Sequence, residues 1–178
     1  MIAWHVDGGS IHHIHATGRY GVDYLPELLA ARGVAIEGHP HLVIREYIDD
    51  MPRCFAAADL IICRAGASTI SELQAAGRGS ILIPSPNVAE NHQYYNARVL
   101  ADDDAAVLIE ERDLTGARLC EEIRSLIHDP ERLHALGRNA RKHAILDAND
   151  RIYRELMCLT AGGDAGSPSS AAAPNAGA

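Results

Sequence analysis

The sequence has no excess of positive charge, no paired cysteines and no long apolar run, and each absence excludes a class of protein. Its 178 residues include 16 Lys and Arg against 24 Asp and Glu, a formal net charge of −8, which argues against a broad nucleic-acid-binding surface. The cysteines form no Cys-x-x-Cys pair, which predicts reduced thiols in a cytosolic protein. They are Cys54, Cys63, Cys120 and Cys158. No apolar run reaches the roughly 18 residues that span a bilayer, so any membrane contact is expected to be peripheral.

The two ends of the chain carry little that could build a core. Met1–Asp7 lacks a basic region followed by an apolar one, so no signal peptide is predicted. After Leu159 the composition turns to Ala, Gly, Ser and Pro, which predicts a disordered tail over residues 160–178. The remainder of the chain is long enough for one domain with a single well-filled core.

Strand-like and helix-like segments alternate along the chain. Short apolar runs without alternation, such as Leu60–Cys63, are typical of strands covered on both faces. The predicted strands are 11–16, 42–46, 60–63, 80–83 and 105–109, and the predicted helices are 24–32, 52–58, 69–76, 92–102, 115–127, 130–144 and 147–159. This alternation predicts an α/β fold with a doubly wound parallel sheet, Rossmann-like in class. The loops 47–50, 64–68 and 85–93 each follow a strand, so they are expected to face one crevice beyond the carboxyl edge of the sheet.

The segment Asp59–Leu73 combines an apolar strand, a turn of small residues and the start of a helix. Such a layout directs backbone N–H groups at a place where an anion can bind. Gly66 and Ala67 leave room for a ligand near the backbone. Glu72, expected in the first helical turn, can accept hydrogen bonds from a sugar diol. An alternative remains open, because Thr69-x-x-Glu72 also fits a capping box in which the glutamate bonds only a backbone N–H.

Three of the ten histidines lie close together in the first predicted strand. His13 and His15 share one face of this strand, and His12 lies on the other. No cysteine or carboxylate stands beside them at a familiar metal-ligand spacing, so no metal site is predicted.

Four segments, in the family's own order and spacing, resemble motifs of the MurG family. They are His15–Arg19, Tyr47–Pro52, Cys63–Glu72 and Ile81–Ala97. The resemblance runs from about Ile11 to about Leu159 and covers only the C-terminal, donor-binding half of a two-domain glycosyltransferase of the B type. It implies a hexosyltransferase that moves N-acetylglucosamine from its UDP carrier to lipid I, giving lipid II in peptidoglycan synthesis. The implied partners are UDP-N-acetylglucosamine, lipid I and the cytoplasmic face of the cell membrane, where the protein would lie peripherally. Neither a cofactor nor a nucleic acid is expected.

The resemblance also implies roles for individual residues. In the family, the residues matching Ala67–Glu72 line the UDP-sugar site, and the glutamate matching Glu72 holds the ribose hydroxyls. The backbone near Ile48 would pair with the uracil edge, and Gln93 matches a glutamine that contacts the donor sugar. The predicted substrate-binding residues are Ile48, Gly66, Ala67, Ser68, Thr69, Ile70, Ser71, Glu72 and Gln93, followed by the neighbouring His92 and Asn96. Core packing for Ile48, and backbone bonding for Gln93 at a helix start, remain the alternatives.

Gly8-Gly9-Ser10 looks like a phosphate-binding loop but is not predicted to be one. In the family, a helix separates a Gly-Gly-Ser loop from the strand that matches residues 11–16. Ser10 directly precedes that strand here, so the family's phosphate-binding serine is not carried over to it. Residues 1–10 are therefore expected to be a non-matching start, from a truncated or misannotated gene, before a UDP-sugar-binding domain over residues 11–159.

These observations support three hypotheses about function. The first is the donor-binding half of a peptidoglycan glycosyltransferase, a fragment expected to be inactive alone, with catalytic residues that are unassigned and expected in the missing N-terminal half. The second is a non-catalytic nucleotide-sugar-binding subunit that acts with a separate membrane-bound partner. The third is a sugar-nucleotide epimerase, which shares the fold but needs catalytic carboxylates and histidines within one complete chain.

Overall fold

The structure is a computed structural model that describes residues 11–34 and 39–160. The predicted non-matching start, residues 1–10 with Gly8-Gly9-Ser10, lies outside the described residues. The predicted tail also lies outside them, except for Thr160. Contacts within the chain divide it into two compact units, Met1–Ala144 and Ile145–Ala178.

The first unit alternates strands and helices, and the second contains one described helix. The strands are β1 (His13–Ala16), β2 (Leu42–Arg45), β3 (Leu60–Cys63), β4 (Gly79–Leu82) and β5 (Val107–Leu108). The helices of the first unit are α1 (Gly21–Ala30), α2 (Met51–Ala57), α3 (Ala67–Ala76), α4 (His92–Asp102), α5 (Gly116–Ile127) and α6 (Pro130–Lys142), with 3-10 turns at Ala89–Asn91 and Glu111–Asp113. The second unit holds α7 (Ala148–Thr160). Within the part of the chain that the structure describes, no helix combines the length and apolarity needed to cross a membrane.

All described strand pairs are parallel, as the alternation of strands and helices predicts. β1 pairs with β2, in a register that places His13 opposite Leu42. β3, β4 and β5 form a three-stranded sheet in chain order, with β4 in the centre. Each neighbouring pair in this second sheet is joined by a helix, which is how parallel strands are connected.

Helices cover both faces of the β3–β4–β5 sheet, which confirms the doubly wound arrangement. On one face Ile61 and Leu82 pack in a cluster with Leu73 of α3 and Leu100 of α4. On the other face, the buried residues of the strands pack with those of α5 and α6; this cluster comprises Ile81, Ile83, Ile109, Ile123, Leu126, Leu133 and Leu136. Ile81 and Leu82, neighbours in β4, thus pack into clusters on opposite faces of the sheet, as the alternation of side chains along a strand requires. This is why the strands read as continuous apolar runs.

Close backbone packing fixes α6 against the end of α3. Gly77 follows α3 in the left-handed region at φ +64 and ends the helix as predicted. A Cβ on Gly137 of α6 would lie 2.4 Å from the Gly77 carbonyl oxygen, and one on Gly79 would lie 2.5 Å from Leu133 Cδ1. Glycine at positions 79 and 137 therefore lets α6 lie directly against the beginning of β4.

Several element boundaries differ from the predicted ones, and α1 and β5 differ clearly. α1 begins at Gly21, before the predicted residue 24, because Gly18 at φ +66 reverses the chain and its carbonyl accepts the Gly21 N–H at 3.1 Å. Of the predicted strand 105–109 only Val107–Leu108 pairs with β4, and Ala105 and Ala106 are buried in the core instead.

Candidate functional site

The loops that follow β3, β4 and β5 begin at one edge of the sheet. The Ile83 N–H donates to the Cys63 carbonyl at 2.9 Å, and the Ile109 N–H donates to the Leu82 carbonyl at 3.0 Å. These bonds continue the parallel ladder past the last strand residues, so the three loops leave the sheet side by side. Ligands of doubly wound sheets bind at this carboxyl edge.

The helix that follows β3 begins earlier than predicted. Gly66 is its N-cap residue, with φ −66 and ψ 149, and the Ile70 N–H donates to the Gly66 carbonyl at 2.9 Å. α3 therefore starts at Ala67 and not at Thr69. The alternative of a capping box is wrong, because the N-cap is Gly66 and not Thr69, and Glu72 lies six residues beyond Gly66. Glu72 consequently lies in the second helical turn, where the sequence predicted the first.

The start of α3 is open to an anion. No side chain caps it, so its first N–H groups, at Ala67, Ser68 and Thr69, lack helical partners. A Cβ built on Gly66 would meet only Thr69 Oγ1, at 3.8 Å. Nothing in the described protein thus closes the outer side of Gly66, and Ala67 and Ser68 beyond it are exposed.

Two of the predicted residues of α3 have side chains that are engaged within the protein. Ile70 is buried in the core with Leu73. The Ser71 hydroxyl donates to the Ala67 carbonyl at 3.1 Å within the same helix. The Ile70 side chain is therefore not available to line a site, and its backbone N–H already donates to the Gly66 carbonyl.

Glu72 is exposed on α3 and lies close to the end of β3. Burial, together with the negative charge of Glu72, raises the pKa of the Cys63 thiol to about 11. The charge of the Glu72 carboxylate is therefore felt at Cys63, the last residue of β3. The Cys63 thiol stays protonated at neutral pH.

The amide side chains of α4 hold both neighbouring loops. Gln93 Oε1 accepts the Ser85 N–H at 3.0 Å, which is the backbone bonding that the sequence left as an alternative. Asn96 Nδ2 donates to the Ala65 carbonyl at 3.2 Å. The Gln93 NH₂ group has no partner among the described residues, so it can still donate to a ligand.

His92 stands at the first position of α4 and bonds within its own turn. Its Nδ1 lies 2.9 Å from the Ala89 carbonyl, a distance at which the Nδ1–H tautomer donates. The ring is exposed. This bond orients the imidazole and leaves Nε2 open to solvent.

Ile48 lies in the loop after β2, and its side chain is half-buried. Within the described residues no hydrogen bond joins it to the α3 loop, and its backbone N–H and carbonyl have no partner there. A free donor and acceptor on one residue match what a base edge requires.

Two charged residues at this edge were missed by the sequence analysis. One nitrogen of the Arg64 guanidinium donates to the Ile83 carbonyl at 3.2 Å and also to the Glu111 carboxylate. The hydrogen bond from Arg64 holds the pKa of the Glu111 carboxyl below its usual value. Arg64 follows β3, Ile83 follows β4 and Glu111 comes shortly after β5, so the three strand ends are joined. The position of Arg64 directly after β3, and of Glu111 shortly after β5, was the available signal.

The shared face that the sequence predicted for His13 and His15 is present on β1, and His12, just before this strand, contacts a fourth histidine. The rings of His13 and His15 lie 5.6 Å apart, and those of His12 and His41 lie 4.4 Å apart, both edge to face. Burial lowers the pKa of His15. In residues 11–34 and 39–160, no group of three or more His, Cys, Asp or Glu has the geometry to hold a metal ion.

A separate crevice lies at the opposite, amino edge of β3 and β4. It has a volume of about 230 Å³ and is lined by residues that include Asp59, Arg78, His134 and Arg138. Its walls arise from the close approach of α6 to β4 described above. The candidate site is placed at the carboxyl edge, because an uncapped helix start and polar loops follow parallel strands there.

The fold and the site define a doubly wound α/β domain of the kind that binds nucleotides at the carboxyl edge of its sheet. The family model described as the glycosyltransferase family 28 C-terminal domain matches residues 3–152. The chain belongs to this family.

Curated relatives and a solved structure confirm the predicted resemblance. The chain is 40% identical over 129 residues to a protein of Desulforamulus reducens and 41% identical over 155 residues to one of Geobacter sp. (strain M21). Both bear the name UDP-N-acetylglucosamine--N-acetylmuramyl-(pentapeptide) pyrophosphoryl-undecaprenol N-acetylglucosamine transferase. The matches cover 72% and 86% of this chain but only 35% and 40% of the relatives.

The structural comparisons agree. The crystal structure of Acinetobacter baumannii MurG matches with a TM-score of 0.65 and 27% identity, over 81% of this chain and 40% of that one. A glycotransferase of kitacinnamycin matches with a TM-score of 0.55 and 24% identity, over 81% of this chain and 35% of that one, a likeness of fold alone. The chain thus has a glycosyltransferase fold and spans less than half the length of the proteins it matches.

Proposed function

We propose that this chain is the donor-binding half of an enzyme that transfers N-acetylglucosamine from UDP-N-acetylglucosamine to lipid I, forming lipid II. The observation that carries the proposal is the uncapped start of α3, with Gly66 open on its outer side, at the carboxyl edge of a family 28 glycosyltransferase domain. The names of the relatives supply the substrates.

In the proposed site, three loops bind different parts of the donor. The diphosphate faces the N–H groups of Ala67–Thr69, where the helix dipole also favours negative charge. The Glu72 carboxylate accepts hydrogen bonds from the ribose hydroxyls, and the backbone of Ile48 pairs with the uracil edge. The sugar lies towards the NH₂ group of Gln93, with His92 and Asn96 nearby.

The proposed chemistry is an inverting displacement. A hydroxyl oxygen of lipid I forms a bond to the anomeric carbon while the bond from that carbon to the diphosphate oxygen breaks, and UDP leaves. The hydroxyl proton passes to a general base, which we assign to the part of the relatives' length that this chain does not span. The start of α3 stabilises the charge that develops on the departing diphosphate.

The acceptor determines where the enzyme works. Lipid I is membrane-bound, so we propose a peripheral location at the cytoplasmic face of the cell membrane. The positioning of acceptor against donor can supply about 7–11 kcal/mol of the barrier. The donor-binding half is therefore expected to bind UDP without transferring sugar when it is supplied alone.

A glycine substitution tests the proposed diphosphate position. Gly66→Ala adds a methyl group where the phosphates would approach, while φ −66 suits alanine and the nearest protein atom is 3.8 Å away. We expect UDP affinity, measured by calorimetry, to fall by about tenfold or more. The matched control is Gly116→Ala at the first position of α5, where the methyl group would meet no atom within 4 Å. Absence of UDP binding by the unsubstituted chain, or equal binding by both variants, would contradict the proposal.

A further inference from the structure

We propose that Arg64 and Glu111 are positioning residues for the diphosphate of the donor, acting as an ionic latch that holds the loop before α3. The inference rests on the proposed function and goes beyond it, because neither residue was assigned to the site. In this account neither side chain touches the donor. The latch fixes the direction in which the first N–H groups of α3 point.

The contacts place the latch across all three strand ends. The guanidinium of Arg64 bonds the Ile83 carbonyl, at 3.2 Å, and the Glu111 carboxylate. Arg64 and Glu111 are 47 residues apart in the chain, so the pair joins the loop after β3 to the turn after β5. The same loop is anchored from its other side by Asn96, whose amide donates to the Ala65 carbonyl.

Burial indicates that the latch orients the loop more than it stabilises the fold. The side chains of Arg64 and Glu111 are 52% and 39% exposed, and ion pairs exposed to this degree add little to folding free energy. The core next to them is held by Ala65 and Leu73, both fully buried. Loss of the pair should therefore leave the domain folded and change the local geometry of the helix start.

The charge of Glu111 gives a second reason for the pairing. A carboxylate at the edge that must accept a diphosphate repels it, unless a cation neutralises that carboxylate. Arg64 supplies this cation, and its hydrogen bond lowers the pKa of the Glu111 carboxyl. Removal of Arg64 would both release the loop and leave an unpaired negative charge beside the anion site.

A neighbouring ion pair provides the matched control. Arg112 bonds Glu110 at 2.9 Å in the same turn after β5. Its described contacts stay within residues 110–113. Arg112→Ala therefore removes the same type of side chain, close by, without releasing the α3 loop.

The experiment compares UDP with uridine in the full chain. Arg64→Ala, Glu111→Ala, the double variant and Arg112→Ala are titrated with UDP by calorimetry and with uridine by NMR. We expect each latch substitution to weaken UDP binding about 5- to 20-fold, the double variant to lose no more than Arg64→Ala alone, and uridine binding to stay unchanged. Arg64→Lys should recover only part of the affinity, because its ammonium group keeps the positive charge on a flexible side chain without the rigid, planar geometry of the guanidinium. Melting temperatures should agree within about 2 °C.

A ligand-free measurement tests the latch itself. The Ile70 amide, which donates to the Gly66 carbonyl at 2.9 Å, should exchange its hydrogen faster in Arg64→Ala than in Arg112→Ala. Equal exchange, equal UDP affinities in those two variants, or a parallel loss of uridine binding would overturn the positioning role while the unsubstituted chain still binds UDP. A gain of UDP affinity in Glu111→Ala would also overturn it, since Arg64 would then act as a phosphate ligand. Failure of the unsubstituted chain to bind UDP would instead refute the proposed function.

Discussion

Replacement of Glu72 separates a role in binding from a role in helix capping. The structure places this residue in the second turn of α3, exposed and without a capping contact. Its removal should therefore cost the helix almost nothing, because glutamate and alanine have similar helix propensities. A charged acceptor that bonds a ribose diol is worth about 1.5–3 kcal/mol, which corresponds to a loss of roughly 10- to 100-fold in UDP affinity.

The assay pairs calorimetry with a melting curve and includes a graded substitution. Glu72→Ala should lose the full effect, and Glu72→Gln about half of the free energy, because a neutral acceptor makes a weaker hydrogen bond. Glu121→Gln on α5, exposed and far along the chain, is the control for the change of charge. A role for Glu72 in ribose binding is refuted if Glu72→Ala binds UDP as the control does, and the absence of a capping role is refuted if Glu72→Ala lowers the melting temperature by several degrees.

Three further predictions concern the core and the thiols. Gly137→Ala would bring a Cβ to 2.4 Å from the Gly77 carbonyl oxygen. Overpacking should cost about 3 kcal/mol and the better helix propensity of alanine should return about 1 kcal/mol, which leaves a destabilisation of roughly 2 kcal/mol. The melting temperature should therefore fall by about 4–8 °C. A melting temperature equal to that of the unsubstituted chain would contradict this packing. The pKa of Cys63 is raised from 9.0 to about 11, so its thiolate at pH 8 is about 100-fold scarcer than that of an ordinary cysteine. Iodoacetamide should therefore label the exposed Cys158 before Cys63, as measured by peptide mass spectrometry. The same shift predicts that the free energy of unfolding falls as pH rises from 9 towards 11, since the unfolded chain releases that proton more readily. Preferential labelling of Cys63 by iodoacetamide would refute the raised pKa.

The fold could be predicted because its signals are local. Continuous apolar runs, glycine stops such as Gly77 and the Asp129-Pro130 helix start each depend on neighbouring residues. The structure bears out the last of these, since Asp129 accepts the Arg132 N–H at 3.0 Å. The start of α3 was predicted two residues too late, at Thr69, because Thr69-x-x-Glu72 fits a capping box. The extended backbone at Gly66, which sets the true start, cannot be recognised from the residue types alone.

The contacts of the site could not be predicted in the same way, because they join distant parts of the chain. The amide chemistry of Gln93 and Asn96 was expected from the sequence. The partner of Asn96 is the carbonyl of Ala65, 31 residues away, and that of Arg64 is a carboxylate 47 residues away. Such pairings depend on which strand ends become neighbours, which only the folded sheet determines.

The two amides of α4 have a mechanical consequence. Gln93 holds the loop after β4 and Asn96 holds the loop after β3, and they stand within one turn of the same rigid helix. Any tilt or rotation of α4 moves both attachment points together. A redesign of one loop for a different sugar would therefore have to preserve the position and orientation of α4. Otherwise the displaced helix would also displace the other loop.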